Sequence, residues 1–566
     1  MRHRIKHGFL FLLLAVMALP LQAAAEDENS REVQAGLLTH VSQQVALRFA
    51  AAHPSAVEGP LREAGERLRE VSAEARAQVA TPATPSGTSS GSYGRQLGDR
   101  FNLDDVGLPQ NEESVAVCRS RPRYVLSGAN DYRYLLDPEL NSTGYYFSTD
   151  GGRSVTKEGL LPSIASGGEP ANLPSGGDPV IQTDNQCNFY FVDLNYPADN
   201  PFANRNGIGL YKTTLENLKS CPAGEDPDQL TQPECWPDRR LVAFADIPVD
   251  TGIGSFLDKP WFDVGPDGEG GKQIWITFSD FANDPNASLG FTGAQIKAVH
   301  CDAKTLACEA PIVISGTDED IQFSDVTIAN DGSTLITWAQ IEGELEETAQ
   351  VFTVKAVVIP PGSTTPGPTK IVNREVNPIP FGGFLHANDF RVATYPKSIM
   401  PMVNGNPRMF VLWDRCRYNL LDFTCEESQI YMTWSDDMGD TWSEPLSLSK
   451  GGDNYFPAVS DEYGTGKFAV AWFTNRRDAI FHNRQDVEVV LVSKQSGTVT
   501  KPRWVTRLSN ESEADPFLGG SFIGDYIDVD RAEGVSYVVY NANYRNIEVL
   551  GEGFPIPQQD NYLTRK

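Results

Sequence analysis

Hydrophobic and polar positions along the chain follow two different rules. In the N-terminal stretch, within 26–80, Val33, Leu37, Val41 and Val45 recur every four residues, with Leu38 and Phe49 beside that stripe. This spacing predicts one face of a helix. "HPSAVEGP" interrupts it. A second stripe follows with Leu61, Leu68, Val71, Ala75 and Val79, and Glu63 stands one turn before Arg67. The pair predicts a helical hairpin that packs on the main domain or serves as a pro-segment. "TPATPSGTSSGSYG" then reads as a flexible linker over 81–95.

From 96 to 550 the pattern changes. One unit recurs: a short alternating strand, an acidic or glycine-containing turn, then a strongly apolar strand. Copies include "DPVIQTDNQCNFYFVDLN", "KPWFDVGPDGEGGKQIWITFSD", "FSDVTIANDGSTLITWAQ" and "DYIDVDRAEGVSYVVYNANYR". Turns such as "NDG" are hairpin signals. A second hairpin separates the copies, as in "SQIYMTWSDDMGDTWSEPLSLS", so four strands repeat roughly every 65 residues. Such a unit cannot bury its faces alone, and radial stacking makes an all-β propeller. The first hairpins number seven, and the last unit, ending at "NIEVL", lacks a fourth strand. "RQLGDRFNLD", upstream of the first unit, is placed to supply it. Seven blades are expected, with six the alternative, and 551–566 reads as a C-terminal tail.

The first residues change the setting. Arg2, Arg4 and Lys6 precede "FLFLLLAVMALPL", and Ala23–Ala25 supply small residues for cleavage, so 1–25 reads as a secretory signal. A secreted or periplasmic protein without a membrane span is expected. Losing the three basic residues of that signal takes the formal net charge from −28 to −31. So acidic a chain argues against nucleic acid and favours a glycan or glycoprotein partner. The eight cysteines suit export. Their spacing pairs Cys221 with Cys235, Cys301 with Cys308 and Cys416 with Cys425, leaving Cys118 for Cys187. Zincin, Walker and Rossmann patterns are absent from the sequence, which disfavours those chemistries.

"SDDMGDTW" contains Ser435, Asp437, Gly439 and Trp442, and "STDGGRSV" places Ser148, Asp150 and Gly152 identically, with Val155 at the aromatic position. An Asp that accepts from turn N–H groups and a Gly at positive φ make a self-contained turn. This S-x-D-x-G-x-x-W pattern resembles the Asp-box, or BNR repeat, of the sialidase superfamily over about 96–550. The resemblance implies a propeller with these boxes as structural elements on the face away from the ligand. It also implies action on, or binding of, extracellular glycans, by exo-glycosidase chemistry on an acidic sugar or as a non-catalytic recognition or scaffold propeller. Sialidases employ a tyrosine nucleophile activated by an acid. Tyr526, Tyr544 and Asp525 are the candidates by position. The family's early arginine motif is missing; "FRVATYP" (Phe390 to Pro396) is a mid-chain look-alike.

In register, acids precede the first strand of each unit (Glu113, Asp178, Asp258, Asp325, Asp453, Asp525), and arginines follow the second (Arg133, Arg415, Arg417, Arg476, Arg477, Arg545). Arg133, Arg476, Arg477 and Arg545, with Asp258, are the candidate ligand contacts, since a guanidinium fork suits a carboxylate. The alternative is that these arginines and acids pair to tie blades together. No cofactor is required, although an acid ring around a channel would also suit Ca²⁺.

Overall fold

The computed structural model describes residues 41–566 except 42, 58–60, 70–98, 103–107, 138, 198–200, 203, 223–229, 285–290, 318–320, 346–348, 377–382, 386, 389, 419–424, 463, 516–517, 519, 521 and 549–554. The expected signal and linker lie outside the described residues.

Seven antiparallel four-stranded sheets follow one another along the chain, making a seven-bladed β-propeller. Their inner strands are Gln110–Val117, Val180–Thr183, Gly254–Pro266, Ile321–Ile328, Lys397–Ile399, Asn454–Asp461 and Asp528–Ala532. Six blades are unbroken meanders. The seventh takes its outer strand, Asp99–Arg100, from before the first blade, with Asp99 opposite Leu563 and Arg100 opposite Tyr562. This closes the ring with the segment expected to do so. One boundary is corrected: residues 551–566 are not a tail, because Pro555–Arg565 is the third strand of blade seven.

Side chains fill the spaces between blades. Trp338, Trp413 and Trp472 follow the same register position in the second strands of blades four to six, and all are fully buried. Inner-strand acids stitch three pairs of neighbouring blades together. Asp263 accepts from the N–H of Ile328 at 2.7 Å, Asp325 from that of Ser398 at 2.8 Å, and Asp528 from that of Val115 at 3.0 Å. All four disulfides form as spaced. Cys118–Cys187 joins blades one and two, and the others close local loops.

Because adjacent strands are antiparallel, the turns after first and third strands share one face, the turn face. Loops entering the first strand and leaving the second share the other, the entry face. Both Ser-x-Asp-x-Gly segments lie on the turn face and have one geometry. Ser148 Oγ donates to Asp150 Oδ1 (2.8 Å) and accepts from Gly152 N–H (2.9 Å); Ser435 makes the same bonds with Asp437 (2.8 Å) and Gly439 (2.8 Å). The hydroxyl and N–H of Thr441 lower the Asp437 carboxyl to about 2. Gly152 and Gly439 sit at φ of +74° and +88°, where a Cβ is strained. Trp442 is only half-buried, against the cluster around Met409 and Trp413. Trp442→Ala is therefore expected to cost about 1.5–3 kcal/mol in urea unfolding, below the ~3–5 kcal/mol of a fully buried indole. Ligand binding per folded molecule should be unchanged.

The N-terminal segment lies on the entry face. Its helix Gln43–Ala52 buries Val45, Ala46, Leu47, Phe49 and Ala50. Val45 and Phe49 join Tyr196, Phe202 and Phe256 of blades two and three, while Leu47 packs with Tyr132, Leu518 and Phe522 of blades one and seven. A second helix over 61–69 adds Ala64 and Leu68. A Cβ on Gly65 would stand 2.5 Å from the Ala50 carbonyl carbon, so the two helices approach as only glycine allows.

Candidate functional site

The inner strands are irregular where they leave the entry face. Register shifts fall between Asn111 and Ser114, Asp258 and Trp261, Gln322 and Asp325, and Tyr455 and Ala458. Inside these bulges Glu112, Lys259, Phe323 and Phe456 have φ of +57°, +51°, +58° and +52°, and Asp178 has +54° just before the strand of blade two. Non-glycine residues held in this region cost energy and cluster at functional sites. Tyr395 and Tyr526 hold the corresponding places in blades five and seven.

These seven residues converge on the axis. Lys259 Nζ lies 3.6 Å from Asp178 Oδ2 and 3.9 Å from Glu112 Oε1, and it contacts Asp525 directly. Phe323 and Tyr395 have ring centroids 3.9 Å apart, and Tyr395 and Phe456 5.6 Å. One arc of the ring is thus charged and the other aromatic. Arg391, from the loop before blade five, grips Asp525 and donates through Nη1 to the Val41 carbonyl at 2.7 Å. That bond joins the N-terminal segment to the centre of the propeller. Glu112, Asp178 and Asp525 are at most 1% exposed.

The environment separates the carboxylates. Burial, then the adjacent Asp178, hold Glu112 well above its ordinary range; Lys259 opposes this in part. Burial also works against ionisation of Asp525, but Arg391 and Lys259 outweigh it and keep that carboxyl below its ordinary value. Burial would lower Lys259, and the surrounding Asp178, Asp525 and Glu112 instead raise it well above the usual lysine range. A protonated Glu112 facing an ionised Asp525 is an acid and base separated by environment alone.

Among the expected site residues, Asp525 and Tyr526 reach this centre. Tyr526 is buried, donates to the Pro179 carbonyl at 2.9 Å and packs edge-on to Trp261. Burial, then Glu112, raise its pKa well above that of a free phenol, which disfavours a nucleophilic phenolate. Tyr544 lies away from the axis in the second strand of blade seven, donating to the Leu508 carbonyl at 2.7 Å and packing on Tyr562.

Among the described side chains the expected arginine convergence does not form. Arg133 is fully buried between Asp131 (2.6 Å) and Glu158 of its own blade. Arg477 pairs with Asp486 at 2.7 Å and Arg476 with Glu488, both over Trp504 of blade six. Arg415 and Arg417 lie on blade five, where Arg417 meets Glu427 at 3.3 Å. The Arg545 side chain lies outside the described residues; its backbone is in the second strand of blade seven. The physical reason is local: Arg133, Arg417, Arg476 and Arg477 each find an acid within their own blade. Asp258, the candidate acid contact, is buried next to Lys259 rather than presented at the face. Glu113 is buried as well, while Asp453 binds Asn475 at 2.7 Å. Among the described residues no three His, Cys, Asp or Glu side chains are grouped to hold a metal ion.

Glu112 and Lys259 were not singled out from sequence, and Arg391 and Tyr395 only within the "FRVATYP" look-alike, though a signal existed. "DP" and "YP" directly precede the inner strands of blades two and five, and "KP" and "FP" lie within those of blades three and six. In each the residue before proline is the axial one.

No known family model matches this sequence, and no curated protein is similar enough to count as a relative. Among solved structures, an α-L-arabinanase of Penicillium chrysogenum complexed with arabinobiose aligns at 10% identity over 66% of this chain and 92% of its own, with a TM-score of 0.39. An α-L-arabinofuranosidase from Fusarium graminearum with an iminosugar inhibitor aligns at 9% over 70% and 98%, TM-score 0.41. The endosialidase of phage phi92 aligns at 9% over 83% and 69%, TM-score 0.40. Likeness at this level concerns the overall fold and carries nothing about chemistry.

Proposed function

We propose that this chain is an exported propeller of sialidase-superfamily type that acts on or binds extracellular glycans carrying an acidic group. One observation carries the reading: the axial ring divides into a charged arc and an aromatic arc. Aromatic faces stack on sugar rings, while Lys259 and Arg391 are suited to an acidic substituent. In the enzyme form Glu112 donates the proton to the leaving oxygen and Asp525 stays ionised opposite it. Turnover then falls as pH rises through the elevated Glu112 pKa. The disulfides accord with export. In this reading the N-terminal segment covers the site until it is displaced.

A second reading is favoured by a specific feature. Lys259 already has three carboxylate neighbours, which is also how a non-catalytic scaffold would lock its blades. A glycan array and a fluorogenic sialoside assay, run on protein with and without the N-terminal segment, separate the two. Cleavage supports the enzyme, and binding without turnover supports a recognition propeller. Silence in both assays after removal of the segment rejects glycan recognition and leaves the scaffold.

A further inference from the structure

The turn face carries a cleft between blades one and seven that the axial site does not use. Its cavity is about 430 Å³, within the range that holds a small ligand. Arg121 and Arg123 come from the first turn of blade one, Arg153 from its Ser-x-Asp-x-Gly turn, and Arg565 from the third strand of blade seven. We propose that this cleft binds a sugar bearing a sulfate or phosphate ester.

Arg121 donates to the Gln186 carbonyl at 3.1 Å, Arg153 to the Asp150 carbonyl at 2.6 Å, and Arg123 to the Tyr124 hydroxyl. All three acceptors are neutral. The Asp150 carboxylate lines the cleft, but it is engaged by the N–H groups of Arg153 (2.9 Å) and Ser154 (3.0 Å) and by the Ser154 hydroxyl (2.7 Å). Glu533 is the other acid at the rim.

The sister turn in blade five shows that charge on this motif need not be left open. There Asp436 pairs with Arg408 at 2.9 Å and Asp440 with Lys370. In blade one the equivalent positions are Thr149 and Arg153, and among the described contacts no carboxylate lies within ion-pair distance of Arg121, Arg123 or Arg153.

The positive charge extends beyond the cleft. Lys219 Nζ stands 4.9 Å and the Arg123 guanidinium 4.6 Å from the centre of the Tyr124 ring. A chain with a net charge of −28 thus gathers like charges on one strip, where their mutual repulsion is unfavourable unless an anion enters. Planar guanidiniums fit tetrahedral oxyanions in a fork. A single ester group meets only this strip, whereas a nucleic acid would carry further phosphates over the acidic remainder. The cleft lies on the face opposite the axial ring, so its fate is independent of the axial reading.

The test is calorimetric titration of the full chain with a tetrasaccharide carrying sulfate esters, one carrying phosphate esters, the unesterified tetrasaccharide and a single-stranded DNA dodecamer. One or both esterified sugars should bind, the unesterified one should not, and which ester is preferred identifies the source of the anion. Arg153→Ala and Arg565→Ala should each weaken binding about tenfold or more. Arg484→Ala, an exposed arginine paired with Glu511 elsewhere, should leave binding unchanged. Unaltered melting curves exclude misfolding as the cause. The proposal is overturned if neither ester binds, if the unesterified sugar or the DNA binds as well, or if the cleft variants bind like wild type.

Discussion

Lys259→Met is expected to lower stability by about 3–5 kcal/mol at neutral pH, the range for removing one partner of a buried ion cluster. Methionine nearly preserves the volume, so the loss reports charge rather than a cavity. The substitution strands Glu112, Asp178 and Asp525 together in a buried space, with Arg391 as the remaining cation on Asp525. The sign with pH follows from the shifts. Asp525 is depressed in the folded protein, so its contribution is present above the unfolded value of ~3.9 and lost as pH falls through the folded one. Lys259 is raised, so its contribution is present below ~10.4 and lost as pH rises through its folded value. In the variant the stranded carboxylates regain neutrality by binding protons, so the deficit should shrink from pH 8 to pH 5. Urea unfolding of both proteins at the two pH values measures this. A deficit below about 1 kcal/mol that ignores pH would mean the ammonium is not the common counter-charge.

Displacing the N-terminal segment should raise the apparent affinity for an acidic glycan at least about tenfold, because apparent affinity scales with the fraction of open protein. The Val41 carbonyl occupies a donor of Arg391, and Val45, Leu47 and Phe49 cover the loops around the ring. Cutting the linker alone is a weak perturbation while the helix stays docked. Leu47→Asp places a carboxylate in the fully buried pocket shared with Tyr132 and Leu518 and should release the helix in the intact chain. Hydrogen exchange over 43–52 reports release, and a glycan titration on the same sample reports opening. Release without a gain in affinity sinks the covering role. Loss of binding on release would make the helix part of the site instead, with Arg48 the residue to examine. That guanidinium is 3% exposed and lies 4.2 Å from the centre of the Tyr134 ring.

Features encoded by neighbours in sequence were legible before the structure. Hairpin turns and alternating strands gave the blade count, since strand period and turn chemistry are local. The Ser-x-Asp-x-Gly turns satisfy their own backbone groups within about five residues, and three of the disulfides close short loops. The last strand was misread for a physical reason as well. Gln558, Gln559, Asp560 and Asn561 are polar, and nothing in their pattern announces burial. Yet each is at most 2% exposed, because Arg100 takes Asp560 and the Phe101 N–H takes the Asn561 carbonyl across the ring closure. Arg133, Arg417, Arg476 and Arg477 stand at or just after the end of the second strand as expected, but each is taken by an acid of its own blade rather than turned toward a common point. The axial site needed the tertiary structure. Glu112, Asp178 and Lys259 meet because backbone at positive φ, in bulges for Glu112 and Lys259 and just before the strand for Asp178, turns them inward from three blades, and Arg391 reaches Asp525 across 134 residues. Closing the ring is what sets those charges within interaction distance, so that burial raises Glu112 while Arg391 and Lys259 hold Asp525 down.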